Sequence, residues 1–129
     1  MKTAIIAANG GAFDAYKVFN IATASATYDG ETAVFFTFEG LNLIHKEGHK
    51  QLPLPEGKEH FQEGFDKANV PSIPELVEMA KEMGVRFIAC QMTMDVMGLT
   101  KEDFVDGIEV GGAATFLNFA KEADVSLTF

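Results

Sequence analysis

The chain has 129 residues, 47% of them hydrophobic and 22% charged, a balance that supports a packed core and argues against intrinsic disorder. Its formal charge is −9, from 19 acidic against 10 basic side chains with Arg86 the single arginine, which argues against nucleic acid or an anionic membrane as a partner. No apolar run has the length of a membrane span. The lone cysteine, Cys90, excludes an internal disulfide and fits a reducing, cytoplasmic compartment.

Residues 3–8 form a short apolar run halted by Asn9-Gly10-Gly11, the pattern of a central strand with a tight turn at its carboxyl end. That halt comes too early for the apolar core of a secretion signal. From Phe13 the period changes. Ala15, Val18, Phe19, Ala22 and Ala26 recur at helical spacing and predict a small-residue face packed on a sheet. Tyr28-Asp29-Gly30 ends the helix, and residues 32–38, aromatic and β-branched, predict a second buried strand. Strand, helix, strand is a βαβ unit and implies a parallel pair.

Residues 39–69 break the pattern. Leu41, Leu43 and Ile44 mark a short helix, but Gly48, Pro53, Pro55, Gly57 and Gly64 predict an irregular excursion with one or two helical turns. A lid, a binding loop, an interface element and plain disorder all fit it. Clarity returns at Ser72, which forms a capping box with Glu75 and has Pro74 in the tolerated first turn. Leu76, Val77, Ala80 and Met83 make a buried stripe, and Gly84 stops the helix. Residues 85–90 predict the next strand, and residues 91–97 can turn directly into a helix. Thr100 to Asp103 open another short helix. After Gly111-Gly112, the residues Ala113, Phe116, Leu117 and Ala120 trace a last helical face, and the alternating residues 125–129 close a sheet edge. Residues 1–129 thus read as one domain, a doubly wound three-layer α/β/α sandwich with a mostly parallel sheet of about four or five strands.

In such folds ligands gather beyond the carboxyl ends of the strands, where Cys90 lies. Backbone amides at a following helix start would favour a thiolate and would also favour a persulfide anion. A buried structural thiol is the other reading, because free cysteines are often internal. Asp95 would oppose a thiolate if it came close. No Cys-x-x-Cys pair exists, so any sulfur exchange needs an outside thiol. Asn9, Gly10, Gly11, Glu39, Gln91, Met92, Thr93, Asp95, Gly111 and Gly112 are candidate linings of the strand-end crevice. The glycine turns can present amides to an anion, or serve only tight packing. Neither matches a dinucleotide or Walker A motif.

His45, His49 and His60 lack the spacing of a zinc site and read as solvated loop residues, so neither a metal nor an organic cofactor is expected. Met92, Met94 and Met97 suit core filling or a soft subunit contact. A cysteine hydrolase would require one of the histidines beside Cys90.

The segment Phe87-Ile-Ala-Cys90-Gln-Met-Thr-Met-Asp95-Val-Met-Gly98, together with Asp106-Gly-Ile-Glu-Val-Gly-Gly-Ala-Ala-Thr-Phe116-Leu117 and Phe36-Thr-Phe-Glu39-Gly40-Leu41, resembles the DsrE/DsrF-like family, related to the TusD-type sulfur-relay subunits. The resemblance spans essentially the whole chain. It implies a small α/β subunit that assembles into trimers or hexamers, with Cys90 near a subunit junction. It also implies that Cys90 accepts sulfur as a persulfide from a donor protein or small thiol and passes it on. The family is heterogeneous, and a non-catalytic binding or assembly module of the same fold, with Cys90 structural, is the competing expectation.

Overall fold

The computed structural model describes residues 1–129, built on one sheet of five parallel strands in the order β4-β3-β2-β1-β5. The strands are β1 (Thr3–Ala7), β2 (Thr32–Phe36), β3 (Arg86–Cys90), β4 (Glu109–Gly111) and β5 (Val125–Thr128). The helices are α1 (Ala12–Ser25), α2 (Phe61–Lys67), α3 (Ile73–Glu82), α4 (Gln91–Met97) and α5 (Ala113–Ala120). Short 3₁₀ turns fill Phe38–Leu43, Gly48–Lys50 and Lys101–Asp103. No helix is long and apolar enough to cross a membrane.

The period-two alternation of the strands sorts side chains between two faces. Ile5, Ala7, Val34, Phe36, Phe87 and Ala89 meet the small-residue face of α1 and the Leu76, Val77 and Ala80 stripe of α3. Phe19, Phe36 and Phe87 pack there with ring centroids 5.4–6.1 Å apart. On the opposite face Ala4, Ala33, Phe35, Ile88 and Cys90 lie under α5, with Phe35 stacked on Phe116 at 5.3 Å. The three layers are therefore present, with a thick layer of α1 and α3 and a thinner one of α5. Buried hydroxyls tie the strand starts to α1: Ser25 donates to Thr3 at 2.6 Å and receives from Thr32 at 3.0 Å.

Several details depart from the sequence expectation. Phe38 is not a strand residue, because the chain leaves β2 after Phe36 and Phe38 turns to φ 50°. Met83 caps α3 and is 39% exposed rather than part of its stripe. The buried face of α5 is Phe116 and Phe119, whereas Leu117 is 61% exposed. Residues 39–69 hold more order than an irregular excursion: two 3₁₀ turns and α2. No residue of α2 is buried, yet its rings engage α1, Phe61 on Phe13 at 4.9 Å and Phe65 on Tyr16 at 4.6 Å.

Parallel strands place all their carboxyl ends on one rim. Over that rim runs the turn Phe38–Leu43, fixed by the Thr37 amide donating to the Ala7 carbonyl at 3.0 Å. The approach is backbone to backbone, for a Cβ on Gly40 would overlap the Ala7 carbonyl and one on Gly10 the Glu39 carbonyl. Only glycine permits either contact.

Candidate functional site

Cys90 ends β3 and caps α4, with an extended backbone at ψ 114°. The transition from strand to helix is immediate, so the first amides of α4 turn toward the sulfur. Only 6% of the residue is exposed. That burial pushes the thiol up, but hydrogen bonds from the Thr93 hydroxyl and amide, the Thr37 hydroxyl and the Met92 amide outweigh it. The net effect holds Cys90 below the ordinary thiol range and favours the thiolate.

Thr93 is the centre of this arrangement. It is 2% exposed, its Oγ1 accepts the Phe38 amide at 3.1 Å, and the Thr37 hydroxyl lies 3.4 Å away. Of the groups that lower the Cys90 thiol, the Thr93 hydroxyl has the largest effect. Asp95 does not oppose the thiolate. It accepts from Gln91 at 2.8 Å on the exposed side of α4 and is not among the groups that shift Cys90.

Two clefts open at the carboxyl rim, and Thr93 lines the smaller of them. One of about 370 Å³ is lined by Gly10, Gly11, Glu39, Asn42, His45 and Met97, with Leu41, Pro53 and Leu99 completing it. The other, of about 320 Å³, is lined by Asn9, Phe38, Glu39, Thr93, Val96 and Met97 with Ala8. Glu39 and Met97 are common to both. Of the residues named from the sequence, Gly10, Gly11 and Glu39 line the first cleft and Asn9, Glu39 and Thr93 the second. Gln91, Met92 and Asp95 do not, being on the exposed face of α4. Gly111 is the register partner of Cys90 and Gly112 caps α5, and neither lines the clefts.

Two amides at the Gly10-Gly11 turn are already engaged. The Gly11 N–H donates to Asp14 at 3.1 Å and the Ala12 N–H to the Pro53 carbonyl at 2.9 Å. Thr37 is the functional residue that sequence reading missed, since a threonine closing a β-branched run looks like any strand residue. Its position one residue before the strand-end turn is the only available signal.

The histidines have other tasks. His45 Nδ1 accepts from the Gly48 amide at 3.0 Å, and His49, buried and not solvated as expected, places its ring nitrogen 2.8 Å from the His45 carbonyl. His60 packs on Phe61 at 5.0 Å. None is among the hydrogen-bond partners of Cys90, which leaves a hydrolase without its base. No three His, Cys, Asp or Glu side chains converge.

Fold and site together define an α/β protein with a single cysteine at the carboxyl rim of a parallel sheet. The chain belongs to the DsrE/DsrF/DrsH-like family, whose model matches residues 1–62 and 55–128. It is 35% identical to the sulfur carrier protein DsrE2 of Allochromatium vinosum, covering 98% of this chain and 96% of that one. It is 32% identical to the uncharacterised protein YrkE of Bacillus subtilis, covering 98% and 95%. Among solved structures, the ychN protein of E. coli superposes with a TM-score of 0.66 at 17% identity over 100% of this chain and 99% of its own, a likeness of fold. The alignments to DsrE2 and YrkE run to 153 and 152 positions against 129 residues here, so both relatives carry residues that this chain lacks.

Proposed function

We propose that the protein carries sulfur as a Cys90 persulfide. The observation that supports this most is the buried polar pair at the strand end, Thr93 at 2% exposure with the Thr37 hydroxyl 3.4 Å away, beside a thiol held below its ordinary range. A purely structural cysteine in an apolar cluster has no use for such a pair, whereas an anionic sulfur needs it. The relative named a sulfur carrier supports the same reading.

In the loading step the Cys90 thiolate attacks the outer sulfur of a donor persulfide, R–S–SH. A new S–S bond forms, the donor S–S bond breaks, and R–S⁻ leaves with its electron pair. An acceptor thiolate then attacks the outer sulfur and releases the Cys90 thiolate, with no net oxidant consumed in either step. The apolar strip of Met92, Val96 and Met97, 54–80% exposed on α4, suits a contact between copies in a trimer or hexamer. Light scattering on the pure protein reads the subunit number.

The competing reading, a binding or assembly module with Cys90 structural, draws on the 6% exposure of that residue. Intact-mass spectrometry after incubation with a persulfide donor separates the two. Sulfur carriage gives a gain of one sulfur atom in the wild type and none in Cys90→Ala. A wild-type protein that stays unmodified under conditions that load a control thiol refutes the proposal.

A further inference from the structure

We propose that the two clefts at the carboxyl rim select donors by charge, admitting a small alkyl persulfide that is uncharged or bears an amine and turning away anionic donors. The inference rests on the sulfur-carrying reading of Cys90 and adds the class of molecule that delivers the sulfur.

Three features carry it. The larger cleft, about 370 Å³, has room for a small organic molecule, and Leu41, Pro53, Met97 and Leu99 supply an apolar wall. Neither cleft is lined by a lysine or an arginine, while the carboxylate-bearing Glu39 lines both. Asp14, which accepts the Gly11 amide at 3.1 Å, places a second carboxylate at the glycine turn that lines the larger cleft. A thiosulfate, sulfonate or carboxylate group entering here finds no lysine or arginine and meets the carboxylates of Glu39 and Asp14, within a chain whose net charge is −9. An ammonium group finds Glu39.

The cysteine stands one side chain behind the wall, because Thr93, which donates to it, lines the smaller cleft. A donor R–S–SH held with its amine toward Glu39 reaches past Thr93 with its outer sulfur. The thiolate takes that sulfur, the donor S–S bond breaks, and R–S⁻ departs with the electron pair to be protonated by solvent. The amine-bearing body thus provides the recognition and the sulfane sulfur is the only atom transferred.

Three methanethiosulfonates that differ in charge provide the test: methyl, 2-aminoethyl and 2-sulfonatoethyl. Each rate of Cys90 modification is divided by the same reagent's rate with free cysteine. The aminoethyl reagent is expected to exceed the sulfonatoethyl one by about tenfold at low salt, with the gap shrinking as salt rises. Glu39→Gln narrows the gap severalfold, and Met97→Lys, on a side chain 54% exposed, raises the sulfonate rate. Equal normalised rates, a faster sulfonate, a gap insensitive to both variants, or a Cys90 inert to all three reagents overturns the proposal. Charge selection in the absence of any persulfide uptake would support the clefts' selectivity while refuting sulfur carriage, so the two ideas fail separately.

Discussion

Replacing Thr93 by valine removes one hydroxyl from beside Cys90 while keeping a β-branched side chain of nearly the same shape in a site that is 2% exposed. A hydrogen bond to a charged acceptor contributes about 1.5–3 kcal/mol. Since about 1.4 kcal/mol is a factor of ten, the acid dissociation constant of the Cys90 thiol falls about tenfold or more. The Phe38 amide, which donates to Thr93 at 3.1 Å and is only part-buried, loses its acceptor as well. That costs about 1 kcal/mol of stability, small beside a typical total of about 5–15 kcal/mol, so the variant folds. The assay is thiolate ultraviolet absorbance against pH, free of interference from other thiols because the chain has one cysteine. Wild-type protein titrates below the ordinary thiol range, Thr93→Val titrates higher, and Thr93→Ser, which keeps the hydroxyl, stays near wild type. A folded Thr93→Val with the wild-type midpoint refutes the assignment of Thr93 as the principal donor.

The lowered Cys90 thiol also links charge to stability. Its contribution is absent below the folded midpoint, grows as pH rises through it, and is complete above the unfolded value of about 8.5. Urea titrations should therefore show the stability gap between wild type and Cys90→Ser widening from acid toward mildly alkaline pH. Gly40→Ala forces a Cβ onto the Ala7 carbonyl and should cost about 3 kcal/mol or more, read as a fall in the denaturation midpoint. Arg86 holds Glu109 through two hydrogen bonds of 2.8 Å, an arrangement that keeps the Glu109 carboxyl below its usual range and spans β3 and β4. Both side chains are more than a third exposed, so Glu109→Gln should cost no more than about 1 kcal/mol, with the loss vanishing as acid protonates the wild-type carboxylate. Phe19→Ala opens the ring cluster with Phe36 and Phe87 and should cost about 3–5 kcal/mol in thermal or urea unfolding.

What the sequence made legible depended on burial. β1, β2, α1 and α3 are elements whose apolar residues are removed from water on a regular period, so their patterns are strong. β4 carries no such mark: its three residues, Glu109 to Gly111, are only partly buried and one is a glycine. It is held by register with Ile88, Ala89 and Cys90, which is a property of the neighbour rather than of itself. α2 escaped for a similar reason, being attached through the rings of Phe61 and Phe65 without an internal stripe. At the site, Cys90 and the glycine turn were readable because strand ends and turns announce themselves locally. The Thr37–Thr93 contact was not, as it joins residues 56 positions apart through a turn that no short-range pattern encodes. Leu117 misled because helical spacing alone does not say which side of α5 meets the sheet.

Phe38 joins the end of β2 to the cysteine site. Its φ of 50° is unusual for a bulky side chain, and its ring is 59% exposed while its amide holds Thr93. A charge on the Cys90 sulfur draws on the Thr93 proton and thereby strengthens the bond Thr93 accepts from Phe38, since hydrogen bonds in series polarise one another. Coupling of this kind is reciprocal. The left-handed turn at Phe38 thus does two things at once: it carries the chain off β2 and it aims a backbone amide at the buried Thr93 hydroxyl beside the cysteine.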